Sequence, residues 1–332
     1  MTISIEELCN HSRGGAPVNY IEQNVVLRTE AFYGGDVPLS LSSPLLRRLE
    51  NTVRPSVRMV LEGTSASVGA PPAWLERASD IRTLGFSAQN GQTILHLKAP
   101  KLGDAAPRLF EQQSLWPHTA SPEDTAIQVV GKIARAIRQR EAGSDLYDRR
   151  LLKYLSSWNG LFRHELKSVD FCVGAEISDP LSPLDRQVVA NAQTLSDQTP
   201  SPRQVRIVGK LDMVRHSTRS FGLVLSHGDE VHGVLVDGTS ELLQGYFGKE
   251  ITVLGKAIYR PSGTLLRVDA SGILPVSDGR QAFSTVPPSF SQPRRPERKL
   301  QSSKSGVASF FGSWPGEETD QDLLRALEEV RR

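Results

Sequence analysis

The sequence contains only two cysteines among its 332 residues, Cys9 and Cys172, and they lie far apart. This composition excludes a disulfide-rich secreted scaffold and a cysteine-based zinc site, and it leaves room for one disulfide at most. The first residues contain no basic stretch followed by an apolar run, so the sequence predicts no signal peptide. Both observations favour a protein that acts in the reducing cytoplasm.

Long apolar runs and a strong net charge are also missing. No window approaches the roughly 18 apolar residues that a membrane span needs. The net charge of +2 is too small to predict a nucleic-acid or membrane partner by itself. The distribution of charge is more informative, because a basic stretch at 293–304 is followed by an acidic stretch at 317–329.

Sequence motifs for catalysis are absent as well. There is no Walker loop, no Gly-x-Ser-x-Gly elbow and no dinucleotide fingerprint. The glycine-rich stretch Gly63–Gly69 lacks the Lys-Ser/Thr that would follow in a phosphate loop. Asp145 and Asp148 are close in sequence, but nothing in the sequence places one of them in an apolar pocket. The two carboxylates are therefore not expected to differ in pKa, as acid–base catalysis would require. The sequence therefore predicts a protein that is not an enzyme and needs no cofactor.

Histidines are present but are not spaced like metal ligands. Their positions show no pair one helical turn apart, which a helical zinc site would need. His227 and His232 flank a predicted turn, and we interpret them as ordinary polar residues. His164 follows a helical pattern, as a helix-terminal residue would. We expect no metal site.

Residues 19–198 have the mixed pattern of an α+β domain, after a flexible leader at 1–18. An extended run at Ile21–Arg28 predicts a strand, and Asn90-Gly91 between two apolar runs predicts a tight hairpin. Three Ser-Pro pairs predict helix starts, since serine is a good N-cap and proline a good first helical residue. These pairs begin at Ser43, Ser121 and Ser182. Pro55 predicts a break or kink near Arg54.

Residues 203–275 change to a β pattern. Five apolar runs, with a short helical piece at Glu241–Phe247 between the third and the fourth, resemble an OB-type barrel in the order of their elements. An SH3-like barrel or a decorated sandwich is the alternative fold. An OB-like barrel raises the possibility of nucleic-acid binding through four aromatic residues: Phe221, Tyr246, Phe247 and Tyr259.

Residues 276–305 are rich in serine, proline, glutamine and arginine. Such a composition buries too little apolar surface to offset the entropy of ordering, so it predicts a disordered basic linker. Its positive side chains are candidates for contact with nucleic-acid phosphates: Arg294, Arg295, Arg298 and Lys299.

Residues 306–332 combine large aromatic side chains with a short amphipathic helix, predicted at 319–331. The leucine stripe of this helix is apolar on one side, and a helix so short is marginal in water unless that side is covered. Docking onto a partner and docking onto this chain's own domains both satisfy this requirement. The candidate partner-binding residues are Phe310, Phe311, Trp314, Pro315, Gly316, Leu323, Leu324, Leu327 and Val330.

The stretch Phe-Gly-x-Trp-Pro-Gly-Glu-Glu-Thr-Asp, followed by Leu-Leu-x-x-Leu, resembles a segment of small bacterial antitoxins encoded beside PIN-domain ribonuclease toxins. The resemblance implies toxin binding by Phe311, Trp314, Pro315, Gly316, Leu323, Leu324 and Leu327. It covers only the C-terminal end, and the chain departs from the family in its size and in lacking a helix-turn-helix or ribbon-helix-helix pattern.

Two hypotheses follow from the sequence. The first is a cytoplasmic, bacterial, non-enzymatic antitoxin or accessory protein that binds a PIN-type ribonuclease through its C-terminal segment. The second is a nucleic-acid-binding OB-like protein whose basic linker adds phosphate contacts.

Overall fold

The structure is a computed structural model that describes residues 18–66, 70–111, 120–163, 165–172, 180–236, 241–276 and Gln321. The described residues up to 276 lie in the first of two compact units, Met1–Phe290, and Gln321 lies in the second, Ser291–Arg332. The predicted leader, basic linker and C-terminal segment fall outside the described residues, apart from 18, 276 and Gln321.

The first half of this unit contains a five-stranded antiparallel sheet with the strand order β2-β3-β1-β4-β5. Alternate residues of the central strands, such as Val25, Leu27, Leu95 and Leu97, point into the main apolar core, as the two-residue period of a strand requires. The strands are β1 (Tyr20–Thr29), β2 (Arg82–Gln89), β3 (Gln92–Pro100), β4 (Leu166–Cys172) and β5 (Pro180–Asp185).

Seven helices accompany this sheet in the described residues. The longer ones turn an apolar stripe toward the core, and Trp158 of a following 3₁₀ turn at Ser157–Arg163 is completely buried there. The helices are α1 (Leu39–Glu62), α2 (Ala73–Ala78), α3 (Leu102–Ala105), α4 (Pro107–Glu111), α5 (Ala126–Arg138), α6 (Arg149–Ser156) and α7 (Arg186–Gln198).

The hairpin predicted at Asn90-Gly91 is present between β2 and β3. Gln89 pairs with Gln92, so the turn has two residues. Both turn residues have positive φ, 50° for Asn90 and 70° for Gly91, as a type I′ turn demands.

The three Ser-Pro predictions of helix starts are wrong. Helix α1 begins four residues before Ser43, after Pro38, and continues through Pro55 without the break predicted near Arg54. A long apolar face packed against the core therefore outweighs the hydrogen bonds that the prolines remove.

The second predicted helix start, at Ser121, is replaced by a start at Thr125, which forms a stronger N-cap. Helix α5 begins after Thr125, whose hydroxyl accepts from the Gln128 amide while the Gln128 side chain accepts from the Thr125 amide. This reciprocal capping box satisfies two backbone N–H groups.

At the third position, Ser182 and Pro183 lie in β5, which is an edge strand of the sheet. An edge strand tolerates proline because one side of the strand needs no ladder hydrogen bond. Helix α7 starts only after Asp185, which caps the amide of Val188 at 3.0 Å.

The second half of the unit is a closed five-stranded barrel with the order β10-β8-β7-β6-β9. Neighbouring strands are antiparallel except β8 and β10, which are parallel. A short helix, α8 (Glu241–Gln244), follows the third strand. The strands are β6 (Arg203–Arg215), β7 (Ser220–Val224), β8 (Glu230–Leu235), β9 (Glu250–Tyr259) and β10 (Leu265–Pro275).

Two glycines let the barrel close around its interior. A Cβ on Gly233 would lie 2.1 Å from the ring of Phe221, which fills the barrel core. A Cβ on Gly255 would lie 2.3 Å from the carbonyl oxygen of Asp269 on the neighbouring strand. Both positions need glycine because a side chain has no space there.

The barrel is attached to the α+β half by a buried polar joint. Arg267 of β10 donates to the carbonyl oxygen of Gly63 at 2.9 Å and to the carboxylate of Asp148 at 3.2 Å. Leu266, beside it, belongs to the apolar core of the α+β half. The joint therefore combines apolar packing with charged hydrogen bonds.

Candidate functional site

The partner-binding residues predicted from the sequence all lie outside the described residues. These are Phe310, Phe311, Trp314, Pro315, Gly316, Leu323, Leu324, Leu327 and Val330. The predicted phosphate contacts Arg294, Arg295, Arg298 and Lys299 lie outside them too, as do Cys9 and His164. These predictions stay predictions.

The four aromatics considered for base stacking have different environments. Phe221 is completely buried in the barrel core and Tyr259 is 1% exposed. Tyr246 is half-buried against the same core, and Phe247 is 60% exposed beyond α8. A stacking platform needs exposed rings on one groove, and of these four rings only that of Phe247 is mostly exposed.

Two residues on the outer side of β7 and β8 are also covered. Ser220 is 1% exposed and Val234 is 9% exposed, although their side chains point away from the barrel interior. The loop after β9 binds the α+β half, since Arg260 Nε donates to Asp145 at 2.7 Å and the Ser262 amide donates to the Ala142 carbonyl at 2.9 Å.

The described histidines do not form a metal site. Among the residues that the structure describes, no three His, Cys, Asp or Glu side chains lie close enough to hold a metal ion. His227 is exposed in the turn before β8. Burial lowers the pKa of His232, while the nearby carboxylates of Glu230 and Asp145 partly oppose this shift.

Three polar side chains form a relay across the sheet. Ser87 Oγ lies 2.6 Å from His96 Nε2, and His96 Nδ1 lies 2.8 Å from Asn24 Oδ1. Serine hydrolases use a similar order of groups, but they also need oxyanion donors beside a substrate cleft. The cleft described next lies elsewhere, so we interpret the relay as cross-strand hydrogen bonding.

A cleft of about 310 Å³ opens between α1, α2 and α6. Helix α1 contributes Glu50, Arg54 and Arg58, which are spaced one helical turn apart and share one face of the helix. Helix α6 contributes Arg150 and Tyr154, which share a face in the same way. The polar residues that line the cleft are Glu50, Asn51, Arg54, Arg58, Ser65, Ser79, Arg150 and Tyr154.

The arginines of this cleft are mostly unpaired with acids. Arg58 is only 6% exposed, and its Nε lies 2.5 Å from the carboxylate of Glu62. Within the described residues its two terminal nitrogens donate no hydrogen bond. Arg54 has no hydrogen bond or ion pair to any described residue. Arg150 donates to the hydroxyl of Tyr154 at 3.4 Å.

Burial raises the pKa of the Glu62 carboxyl, although Arg58 and Arg219 act in the opposite direction. Glu62 does not line the cleft itself, whose lining contains three arginines (Arg54, Arg58 and Arg150) against one acid, Glu50.

The cleft adjoins the joint between the two halves. Ser65, which also lines the cleft, donates its hydroxyl to Asp148 at 2.6 Å and its amide at 3.2 Å. Asp148 caps the Leu151 amide of α6 at 3.0 Å and binds Arg267. Burial by itself raises the pKa of the Asp148 carboxyl, but Arg267 and these hydrogen bonds outweigh it and lower the pKa overall.

The sequence did not predict this cleft. Asp145 and Asp148 are close in sequence, but the structure pairs them with different arginines, Arg260 and Arg267. The available signal was the pair Arg54 and Arg58, one helical turn apart on α1. It does not reveal that α6 lies opposite.

No helix in the described part of the chain is long and apolar enough to cross a membrane. Comparison with protein-family models, with curated proteins and with solved structures found no match. The function is therefore argued from the residues themselves.

Proposed function

We propose that this chain is a non-enzymatic antitoxin or accessory protein that binds a PIN-type ribonuclease through its C-terminal segment. The observation that carries the proposal is the sequence from Phe310 to Val330, in which an aromatic Trp-Pro-Gly stretch precedes a leucine-striped acidic helix pattern. In this account the aromatics anchor the segment, and the acidic residues face the basic RNA-binding cleft of the nuclease.

The expected affinity comes mainly from the aromatic side chains. Burial of Trp314 and two phenylalanines contributes several kcal/mol at about 25 cal/mol per Å² of apolar surface, before the cost of ordering the segment. Acidic residues such as Glu317 and Asp320 add electrostatic steering. The interaction takes place in the cytoplasm under this proposal.

The described part of the chain supports a scaffold role for the folded unit. An OB-type barrel usually binds its ligands on the face of strands 2 and 3 and on the loops between strands 1 and 2 and between strands 4 and 5. Here Ser220 and Val234 on the outer side of β7 and β8 are buried, and the loop at 260–264 is bonded to the α+β half. This arrangement favours a barrel that contributes to the architecture.

Inhibition of the nuclease provides the test. The full chain is titrated into a purified PIN-domain nuclease encoded next to it while cleavage of a fluorescent RNA is followed. We expect stoichiometric inhibition, weakened about 30-fold or more by Trp314→Ala, which corresponds to about 2 kcal/mol for a central anchor. Arg331→Ala, at the end of the predicted helix, is the matched control with little expected effect.

Unchanged inhibition by the Trp314→Ala chain contradicts the proposal, as does a nuclease that is not inhibited by the wild-type chain. Leu324→Asp is the second variant, because it places a charge on the leucine stripe without touching the aromatics. It is expected to weaken inhibition as strongly as Trp314→Ala.

A second candidate function is nucleic-acid binding by an OB-like barrel. It is favoured by the closed five-stranded order with a short helix between the third and fourth strands. Lys210 and Lys256 are exposed on β6 and β9 and supply positive charge for phosphates. Steeply salt-dependent binding of labelled single-stranded RNA, weakened by Lys256→Glu, supports this function. Salt-independent or absent binding leaves the first proposal as the better account.

A further inference from the structure

We propose that the arginine cleft between α1, α2 and α6 binds a small phosphate monoester that carries a planar ring, such as a nucleoside monophosphate. None of the residues that line this cleft belongs to the C-terminal segment.

The first argument is the state of Arg58. Its side chain is nine-tenths buried, yet in the described residues only its Nε has an acceptor. No nitrogen of Arg58 is among the buried polar atoms of the described residues that lack a partner, so its terminal N–H groups open to the solvent of the cleft that Arg58 lines. These donors are therefore available to an anion that enters the cleft.

The second argument is the arrangement of charge. Arg54 lies one helical turn from Arg58 on α1, and Arg150 of α6 lines the same cleft. Guanidinium groups present fork-shaped donors that match the oxygens of a phosphate. Glu50 at the cleft carries the opposing charge, so the lining arginines exceed the lining acid and the cleft favours an anion.

The third argument concerns the remainder of the ligand. The half-buried Tyr154 ring lines the cleft, and the guanidinium carbon of Arg150 lies over this ring, 5.9 Å from its centroid. The planar guanidinium and the ring together offer stacking surfaces for a planar group. Asn51 adds an amide that both donates and accepts. The volume of about 310 Å³ is at the low end for small-molecule sites, so the ligand is small.

Isothermal titration of the full-length protein in phosphate-free, low-salt buffer tests the proposal. The probes are AMP, adenosine and inorganic phosphate. We expect AMP to bind, adenosine to bind at least tenfold more weakly, and inorganic phosphate to compete with AMP at higher concentration. The exposed arginines are changed, because removal of Arg58 leaves Glu62 buried without its partner.

Arg54→Gln and Arg150→Gln are each expected to weaken AMP binding tenfold or more. Arg47→Gln is the matched control, since Arg47 is exposed on α1 but does not line the cleft, and its effect is expected to stay within twofold. The proposal is overturned if AMP does not bind at millimolar concentration, or if the Arg54 and Arg150 variants bind it like wild type. It is also overturned if adenosine, or phosphate alone, binds as tightly as AMP.

Discussion

Arg267 and Asp148 form a buried ion pair that joins the barrel to the α+β half. Their side chains are 3% and 4% exposed, and the distance from Arg267 Nη2 to Asp148 Oδ2 is 3.2 Å. Asp148 also accepts from Ser65 and caps α6, so one carboxylate connects three segments. A buried pair of this kind contributes specificity of docking more than net stability.

Removing one member of this pair is expected to destabilise the protein strongly. Arg267→Met leaves the Asp148 carboxylate buried and without its cation, which typically costs about 3–5 kcal/mol. Urea denaturation of the variant measures the loss. Lys256→Met, on the exposed side of the neighbouring strand, is the control and is expected to change the free energy of unfolding by less than about 0.5 kcal/mol. A loss of unfolding free energy below about 1 kcal/mol for Arg267→Met contradicts the claim that this buried ion pair joins the two halves.

The Asp148 carboxyl also predicts a dependence on pH. Its folded-state pKa lies below the ordinary value of 3.8, so its stabilising contribution is present above that value and is lost as the pH falls through the lowered pKa. The difference in unfolding free energy between wild type and Asp148→Asn is therefore expected to be constant from pH 7 to pH 5 and to shrink below 3.8. A difference that grows on acidification contradicts this assignment.

The observed start of α5 predicts a larger loss of stability on substitution of Thr125 than on substitution of Ser121. Thr125→Ala removes one side of the capping box and its hydrogen bond to Gln23, and is expected to cost about 1 kcal/mol. Ser121→Ala, at the start that the sequence favours, is expected to cost only a few tenths. Thermal unfolding of both variants checks the order. A larger effect at Ser121 contradicts the observed cap.

The close approach of β9 and β10 predicts a strong effect at Gly255. A methyl group there meets the backbone carbonyl of Asp269, which cannot rotate away as a side chain does, so Gly255→Ala is expected to cost about 1–3 kcal/mol. Gly143→Ala is the control because its Cβ meets nothing within 4 Å. Equal stability of the two variants in chemical denaturation contradicts the packing described for the barrel.

Local signals in the sequence predicted part of this fold well. Asn90-Gly91 predicted its hairpin because the turn type depends on those two residues alone, and the five β runs predicted the strands of a barrel whose closure the structure confirms. The Ser-Pro starts failed because caps compete locally, and Thr125 and Asp185 offered better ones. A local motif therefore predicted the structure only where no neighbouring residue offered a better turn or cap.

The candidate sites were harder to predict for a physical reason. The cleft needs Arg54 and Arg150, which lie on helices far apart in sequence and meet only after the core has formed. The ion pair of Asp148 with Arg267 spans the two halves in the same way. Periodicity identifies the face of one helix, but it does not identify the element that lies opposite.

The central claim is that the C-terminal segment binds a PIN-type nuclease in trans. The most direct test compares the full chain with a chain that ends at Ser305, measuring both the thermal midpoint and the affinity for the nuclease by calorimetry. The account predicts that truncation abolishes binding and leaves the midpoint nearly unchanged, because the anchors are used by the partner. A large drop in the midpoint, or nuclease binding that survives truncation, would contradict it.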